Sequence, residues 1–262
     1  MTLIEAIVLG VVQGLTEFFP VSSSGHLVLA ESMLGVNPPG VSFEVLVHLA
    51  TLVSVLVVYR RRVVELTVGA VRRDKAALRY IGLILLATLP AGVAGNALSG
   101  AVSRLFDLPL IAATSLLVTG AVVYATRWLV ARGDKSDPGW AGALLVGVAQ
   151  SVALIPGISR SGFTVSAALF VKTRREAAAE FSFLLSVPAI LGASLLQAPR
   201  LLEGESGAGA LVLSVAAFSA FIAGLFAIVL FVWLLRANRF HRFAYYCWAV
   251  GGAYIVYALS TT

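Results

Sequence analysis

Six long apolar stretches dominate the chain, and each is long enough to cross a membrane without a break. A membrane-spanning helix needs about 20 predominantly apolar residues. The six stretches lie at about 43–59, 80–101, 109–130, 177–198, 209–235 and 243–260. This pattern predicts an all-α polytopic membrane protein with six transmembrane helices.

Two more apolar stretches, 2–34 and 140–171, are interrupted near their middles by proline, glycine and polar residues. The interruptions lie at 19–25 and 156–162, and each remaining half is too short to cross a bilayer alone. Irregular backbone at membrane depth is tolerated only where protein or a water-filled cavity covers it. We therefore expect two re-entrant helix pairs whose polar tips point into the bundle.

The two interrupted stretches also resemble each other in sequence. The offset that places Gly10 on Gly147 also places Gln13 on Gln150. The same offset aligns the tip residues Ser22, Ser24 and Gly25 with Ser159, Ser161 and Gly162. The alternative is that small residues merely recur in apolar helices, but that alternative does not explain why the polar tips align.

We interpret residues 1–262 as a single membrane domain that contains repeat one at 1–131 and repeat two at 138–262. Each repeat has one re-entrant pair and three crossings. Because three is odd, the second copy enters the membrane from the opposite face, which gives an inverted-topology repeat. In such folds the two interrupted elements meet near the midplane and form the site there.

Composition excludes a soluble globular domain. Hydrophobic residues make up 59% of the chain and charged residues 12%, whereas an ordinary soluble domain is roughly 45–50% apolar and about 25% charged. Cys247 is the single cysteine of the sequence, so a disulfide scaffold within the chain is excluded as well.

Basic residues cluster at 60–62, 72–79, 127–135, 172–175 and 236–242, and only Arg104, Arg160 and Arg200 lie elsewhere. Threading the predicted crossings puts all five clusters on one side, which the positive-inside rule assigns to the cytoplasm. The net charge of +6 then reflects membrane topology and anionic lipid, so we expect membrane lipids and no nucleic acid as partners.

The polar residues of the two tips form the candidate site. Glu17 and Arg160 are ionisable groups inside the predicted membrane region, where burial costs several kcal/mol and indicates function. The remaining candidates are Gln13, Ser22, Ser23, Ser24, Gly25 and His26 from repeat one, and Ser159, Ser161 and Thr164 from repeat two. The alternative is an ion pair between Glu17 and Arg160 that only locks the two repeats together.

This set of residues is typical of phosphate binding. An arginine fork matches phosphate oxygens bidentately and stays charged. Each serine-rich tip leads into an apolar helix, so backbone N–H groups and hydroxyls at the helix start could cradle an anion, with Gly25 and Gly162 allowing close approach. Plain N-capping is the alternative for each serine run taken alone.

A nucleophile and a base are also present. Ser23 and His26 lie three residues apart at a predicted helix start, and a serine hydroxyl needs an activating base. Glu17 could orient His26 or act as the base itself. Two further readings stay open: His26 as the nucleophile with Ser23 only binding, and His26 as an ordinary hydrogen-bonded polar residue.

At these residues the sequence resembles a known family. Segment 13–26, QGLTEFFPVSSSGH, is similar to the first signature of the undecaprenyl-diphosphate phosphatase family, also called bacitracin-resistance proteins. Segment 156–164, PGISRSGFT, resembles the second signature, and 181–188 also follows the family pattern. The similarity runs over nearly the whole chain.

The resemblance implies an integral membrane enzyme that hydrolyses undecaprenyl diphosphate to undecaprenyl phosphate and inorganic phosphate. The product is the carrier lipid for peptidoglycan, and bacitracin resistance follows because the drug sequesters the diphosphate. The family's acidic pair falls on Gln13 and Glu17, its proposed nucleophile on Ser23, its histidine on His26 and its arginine on Arg160. The implied location is the cytoplasmic membrane, with the site facing the outer side.

The sequence departs from the family pattern at Gln13, where many members carry Glu. This weakens a mechanism in which two carboxylates chelate a divalent cation, and it leaves the need for Mg²⁺ or Ca²⁺ open. Glu44 and His48, one helical turn apart, are candidates to support the site from behind. The alternative is that these two residues only satisfy each other.

Two other function classes remain for the sequence. A lipid-carrier transporter or flippase would use the same inverted-repeat architecture. A type-2 phosphatidic-acid-phosphatase would need a Lys-x6-Arg-Pro segment and a distal His-x3-Asp, and the sequence has neither. The expected partner is a polyprenyl diphosphate lipid, and a homodimer is left open.

Overall fold

The computed structural model describes residues 1–34, 41–129, 133–202 and 209–261, and these ranges are almost entirely helical. An isolated bridge joins Lys135 to Thr173. The helices are α1 (Leu3–Phe18), α2 (Ser23–Leu34), α3 (Val41–Val58), α4 (Arg60–Val71), α5 (Lys75–Ala97), α6 (Ser99–Phe106), α7 (Pro109–Leu129), α8 (Gly139–Val152), α9 (Arg160–Phe170), α10 (Arg175–Leu202), α11 (Ala210–Arg236), a 3-10 helix (Phe240–Arg242) and α12 (Phe243–Thr261). The end of repeat one at residue 131 and Arg132 of the third basic cluster lie outside the described residues.

The helices confirm an all-α polytopic membrane protein. Among the described residues, α5, α7, α10 and α11 are long and apolar enough to span a membrane. A fifth span results if α3 and α4, which meet at a bend of 79°, are counted together. The last predicted stretch forms α12, a helix of 19 residues. The count of six spans stays a prediction.

One predicted span has different ends in the structure. The stretch at 80–101 was expected to be a single helix, but α5 begins at Lys75 and ends at Ala97. It begins earlier because the Asp74 side chain accepts a hydrogen bond from the Ala77 backbone N–H at 2.8 Å and caps the helix. Beyond Leu98 the chain starts the separate short helix α6.

Both predicted interruptions are confirmed, and each has a local cause. After α1 the backbone of Phe19 becomes extended, Pro20 brings no N–H, and Ser22 adopts a left-handed conformation with φ of 64°. After α8 the chain stays irregular until Ser159, whose side chain caps α9. The paired helices α1–α2 and α8–α9 therefore carry the two polar tips.

The packing of the two tip-bearing pairs supports the inverted repeat, which itself stays a prediction. Helix α1 packs along α11, whereas α8 packs along α5. A Cβ on Gly10 would lie 2.4 Å from the carbonyl oxygen of Ala216, and a Cβ on Gly147 would lie 2.6 Å from that of Ala87. The two glycines that align in sequence thus make the same kind of close helix contact with different partners.

Polar contacts bring basic clusters from distant parts of the sequence together on one face of the bundle. Arg79 donates to both carboxylate oxygens of Asp137, at 2.7 and 3.0 Å. Arg62 pairs with Glu180 at 3.0 Å. Arg175 donates to the backbone carbonyl of Arg236 at 2.8 Å. We call this surface the basic face.

Candidate active site

Glu17, near the end of α1, is the centre of a polar cluster inside the bundle. It is 8% exposed. Its Oε2 accepts hydrogen bonds from Gln13 Nε2 at 3.1 Å and from Ser23 Oγ at 2.9 Å. Its Oε1 accepts from the Arg160 guanidinium. One carboxylate therefore joins residues from α1, α2 and α9.

The local sequence explains why these groups meet. Gln13 and Glu17 are one helical turn apart and share the buried face of α1. Ser23 is the first residue of α2 and Arg160 the first of α9, so each follows an interruption directly. The tips touch closely, because a Cβ on Gly25 would lie 2.8 Å from the Cα of Gly157.

Arg160 has a free hydrogen-bonding end. One nitrogen, Nη2, binds Glu17. The other, Nη1, is buried and has no hydrogen-bond partner among the described residues. An unpaired buried donor on a cation is costly, and the side chain lines a cavity. Arg160 therefore carries an unused donor on a side chain that borders the cavity.

Two serines of the tips, Ser22 and Ser159, cap helices and also line the cavity. Ser22 Oγ accepts from the Gly25 N–H at 3.2 Å, and Ser159 Oγ accepts from the Gly162 N–H at 3.1 Å. Both therefore cap helices, as the alternative interpretation expected. They also line the cavity, together with Ser23 and Ser24, so capping and cavity lining coexist.

Two other candidates brace the tips. Ser161 Oγ donates to the backbone carbonyl of Phe19 at 3.1 Å and thereby links the second tip to the first. Thr164 bonds the Arg160 carbonyl at 2.7 Å and the Ser182 hydroxyl at 2.5 Å. These contacts hold Arg160 at the start of α9, and they differ from the direct phosphate contacts that the sequence suggested for Ser161 and Thr164.

His26 is not the partner of Ser23. Its Nδ1 lies 2.7 Å from the Ser22 backbone carbonyl and its Nε2 lies 2.9 Å from the Tyr246 hydroxyl. The two rings also stack, with centroids 5.5 Å apart and an 8° angle between their planes. Because both ring nitrogens are engaged, the structure brings Ser23 to Glu17 and not to His26.

Glu44 and His48 border the same cavity. His48 Nδ1 donates to the Glu44 backbone carbonyl at 2.7 Å, so the contact between these two residues runs through the main chain of α3. His48 Nε2 lies 3.6 Å from Glu17 Oε2. Sequence spacing gave no sign of this approach, nor of the role of Tyr246, which lies 220 residues from its partner His26.

The cavity has a volume of about 550 Å³, within the range of small-molecule sites. One end is polar and contains Glu17, Ser23 and Arg160. The rest of the lining is mostly apolar and includes Val102, Phe106, Leu154, Ile190 and Ala193. Asp107, Ser194 and Gln197 are polar side chains within this part. A ligand with an anionic head and an apolar tail fits this division.

The donor set does not fit a divalent cation held by the protein alone. Among the described residues no three His, Cys, Asp or Glu side chains come together as a metal site. Both oxygens of Glu17 already accept hydrogen bonds, one of them from a cation. Mg²⁺ and Ca²⁺ need several oxygen ligands. A cation bound to a diphosphate would instead arrive with that ligand.

Comparisons with known proteins give a consistent result. The family described as "Bacitracin resistance protein BacA" matches residues 6–253. A relative from Desulforapulum autotrophicum, named undecaprenyl-diphosphatase, is 40% identical over 267 residues, which cover 96% of each chain. A protein of the same name from Syntrophotalea carbinolica is 41% identical over 263 residues, with 97% of this chain and 98% of the relative covered.

Proposed function

The chain belongs to the bacitracin resistance protein BacA family, and from this premise we propose that it is an integral membrane phosphatase. It hydrolyses undecaprenyl diphosphate to undecaprenyl phosphate and inorganic phosphate, and so recycles the carrier lipid for cell-wall synthesis and confers bacitracin resistance. The names of the relatives support this substrate. They also favour a phosphatase over a lipid transporter.

One observation carries the proposal. A serine hydroxyl and a guanidinium bind the two oxygens of the same carboxylate: Ser23 Oγ donates to Glu17 Oε2 and Arg160 Nη2 to Glu17 Oε1. The second guanidinium nitrogen, Arg160 Nη1, has no partner in the described part of the chain. A nucleophile beside an anion-binding donor is the arrangement that phosphoryl transfer needs.

The mechanism follows from these contacts. Arg160 Nη1 and the cavity-facing serines hold the terminal phosphate, while the prenyl tail lies along the apolar walls. Ser23 Oγ, oriented by Glu17, attacks the terminal phosphorus. The negative charge that builds up on the transferring group is stabilised by Arg160. Water then releases inorganic phosphate from Ser23.

The proposed location is the cytoplasmic membrane, with the site open to the outer side. Helix α5 begins near the basic face at Arg79 and runs away from it to Ala97, so α6 lies at the opposite end of α5. Val102 and Phe106 of α6 border the cavity, and so does Asp107 beyond it. The positive-inside rule assigns the basic clusters to the cytoplasm. The cavity reaches the other end of the bundle, which is then the outer side.

The test is phosphate release from undecaprenyl diphosphate by the purified protein in detergent, with and without EDTA. We expect release by the wild type and loss in Ser23→Ala. Reconstituted protein that moves lipid between leaflets but frees no phosphate would contradict the proposal and favour a transporter. Unchanged release by Ser23→Ala would leave a phosphatase with a different nucleophile.

A further inference from the structure

His48 approaches the reacting groups without taking part in their hydrogen bonds. Its Nε2 lies 3.6 Å from Glu17 Oε2, the oxygen that accepts the Ser23 hydroxyl at 2.9 Å. A movement of about 0.5 Å would bring Nε2 within hydrogen-bond distance of that oxygen. The ring is partly exposed to the cavity, with 34% of the side chain accessible.

The hydrogen bond on the far side of the ring fixes its tautomer. A backbone carbonyl only accepts, so the 2.7 Å contact with the Glu44 carbonyl requires the proton of the neutral ring to sit on Nδ1. The Nε2 atom of the neutral ring is therefore unprotonated, and its lone pair can accept a proton.

The other two candidates are less suited to keep the proton that Ser23 gives up. A proton on Glu17 would weaken its pairing with Arg160, just when Arg160 has to stabilise charge on the phosphate. His26 is held away by the Ser22 carbonyl and the Tyr246 hydroxyl. A proton on His48 Nε2, in contrast, adds a second ion pair to Glu17 and leaves the first intact.

We propose that His48 is a positioning residue of the phosphatase reaction, which takes up through Glu17 the proton that Ser23 releases. This inference rests on the proposed function. It assigns His48 an active part in proton transfer, beyond the supporting part expected from its spacing to Glu44.

The proton balance of the reaction is as follows. Ser23 Oγ forms a bond to the terminal phosphorus, and the bond from that phosphorus to the bridging oxygen breaks with its electron pair on undecaprenyl phosphate. The Ser23 proton passes over Glu17 Oε2 to His48 Nε2. Water then gives its hydroxyl to phosphorus and its other proton to Ser23 Oγ, which frees hydrogen phosphate. His48 finally loses its proton to the water of the cavity.

Several charged groups lie around the ring or line the same cavity. Glu17 faces it from α1 and Arg160 stands beyond Glu17 on α9. Glu44 precedes it by one turn on α3 and lines the same cavity, as does Asp107 after α6. All of these groups remain when only His48 is replaced, so the substitution removes a single titratable group from the site.

The experiment compares the pH profiles of kcat and KM for wild type and His48→Gln, measured as phosphate release from undecaprenyl diphosphate. General-base effects are worth about 10²- to 10⁴-fold. Since Glu17 still accepts the proton, we expect a loss in kcat at the low end, about 10²-fold, with KM nearly unchanged. The fall in activity on the acid side that comes from protonated His48 should disappear.

His241→Gln is the matched control, because His241 lies in the 3-10 helix at the basic face, against the ring of Tyr124. It should keep the wild-type profile, including the part due to ionisation of the substrate. Wild-type kcat and an unchanged acid limb in His48→Gln would overturn the proposal. If His48→Gln has a lowered melting temperature, the same criteria are applied to His48→Asn. A wild type that frees no phosphate would instead refute the proposed function.

Discussion

Glu17 is a single carboxylate with partners on four helices, and each partner restrains it differently. Gln13 and Ser23 hold one oxygen, Arg160 holds the other, and His48 stands at 3.6 Å. Small changes at any of these positions therefore act on the same group. The ion pair between Glu17 and Arg160 has two possible roles, which an experiment can distinguish. It either serves catalysis or only holds the two tips together.

Arg160→Lys should lower kcat strongly even though the positive charge is kept. Lysine is a point charge and cannot bind Glu17 with one nitrogen while offering a second, fixed nitrogen to phosphate. Loss of one transition-state donor typically costs about 10²- to 10³-fold in kcat, and we expect phosphate release to fall by that amount. Arg239→Lys, outside the cavity, is the control, and near-normal release by Arg160→Lys would contradict the assignment.

Removing the charge of Glu17 tests whether its ion pair with Arg160 serves catalysis or only stabilises the fold. Glu17→Gln leaves Arg160 as an unpaired and partly buried cation, which costs at most about 3–5 kcal/mol of stability. The double variant Glu17→Gln/Arg160→Gln removes both charges and should recover most of the melting temperature. Phosphate release should stay at least about 10²-fold below wild type. Recovery of both quantities in the double variant would mean that the pair is only a lock.

At the residue scale, the sequence was sufficient to find Glu17, Ser23 and Arg160 because each stands next to an interruption of an apolar helix. The predicted contact between Ser23 and His26 was wrong for a local reason. The Ser22 carbonyl, four residues before His26, lies within reach of its ring and takes Nδ1. The second ring nitrogen binds Tyr246, a contact between distant segments that no spacing rule contains.

At the scale of helices, glycine positions decide how closely the tip-bearing helices approach their partners. Gly147→Ala should destabilise the protein, because the added Cβ would lie 2.6 Å from the Ala87 carbonyl oxygen and α8 would have to move away from α5. Overpacking of this kind costs about 1–3 kcal/mol. The measurement is the melting temperature in detergent.

The control for this substitution is Gly252→Ala in α12, where nothing lies within 4 Å of the added Cβ. It should leave the melting temperature unchanged or raise it, since alanine favours a helix by up to about 1 kcal/mol over glycine. Equal effects of the two substitutions would mean that the close contact between α8 and α5 does not limit stability.

The interruptions of the helices were predictable because proline, serine and glycine act locally on the backbone. The start of α5, which a polar cap sets, was not predicted. Helix α5 begins at Lys75 because the Asp74 carboxylate accepts a hydrogen bond from the Ala77 N–H. A prediction based on runs of apolar residues leaves this charged segment out of the helix. The close approach of Gly10 and Gly147 to other helices depends on packing that appears only in three dimensions.

At the scale of the whole molecule, a small number of polar contacts on the basic face join segments that are far apart in the sequence. Asp137, in the connection between the two predicted repeats, pairs with Arg79. The hydrogen bonds from Arg79 lower the pKa of Asp137 below its ordinary value of 3.8. Because the pKa is lower in the folded state, this contribution to stability is present at neutral pH and is lost as the pH falls through the folded pKa.

Asp137→Asn should therefore lower the melting temperature at neutral pH and lose this effect at a pH well below 3.8. The pair is partly exposed, so its contribution is about 1 kcal/mol or less. Asp134→Asn, in the same connection between the repeats, is the control and should show a smaller difference at neutral pH. A difference for Asp137→Asn that persists unchanged in acid would contradict this origin.

The two helices that follow the interruptions begin with different residues, and this gives the site a direction. The offset that places Gly10 on Gly147 places Ser23 on Arg160, and these are the first residues of α2 and α9. With the same residue at both positions, the site would hold two hydroxyls or two guanidinium groups. At the same offset Glu17 falls on Leu154. One tip therefore brings a hydroxyl and a carboxylate to the cavity and the other a guanidinium, so the two ends of a diphosphate bound between them would meet different groups.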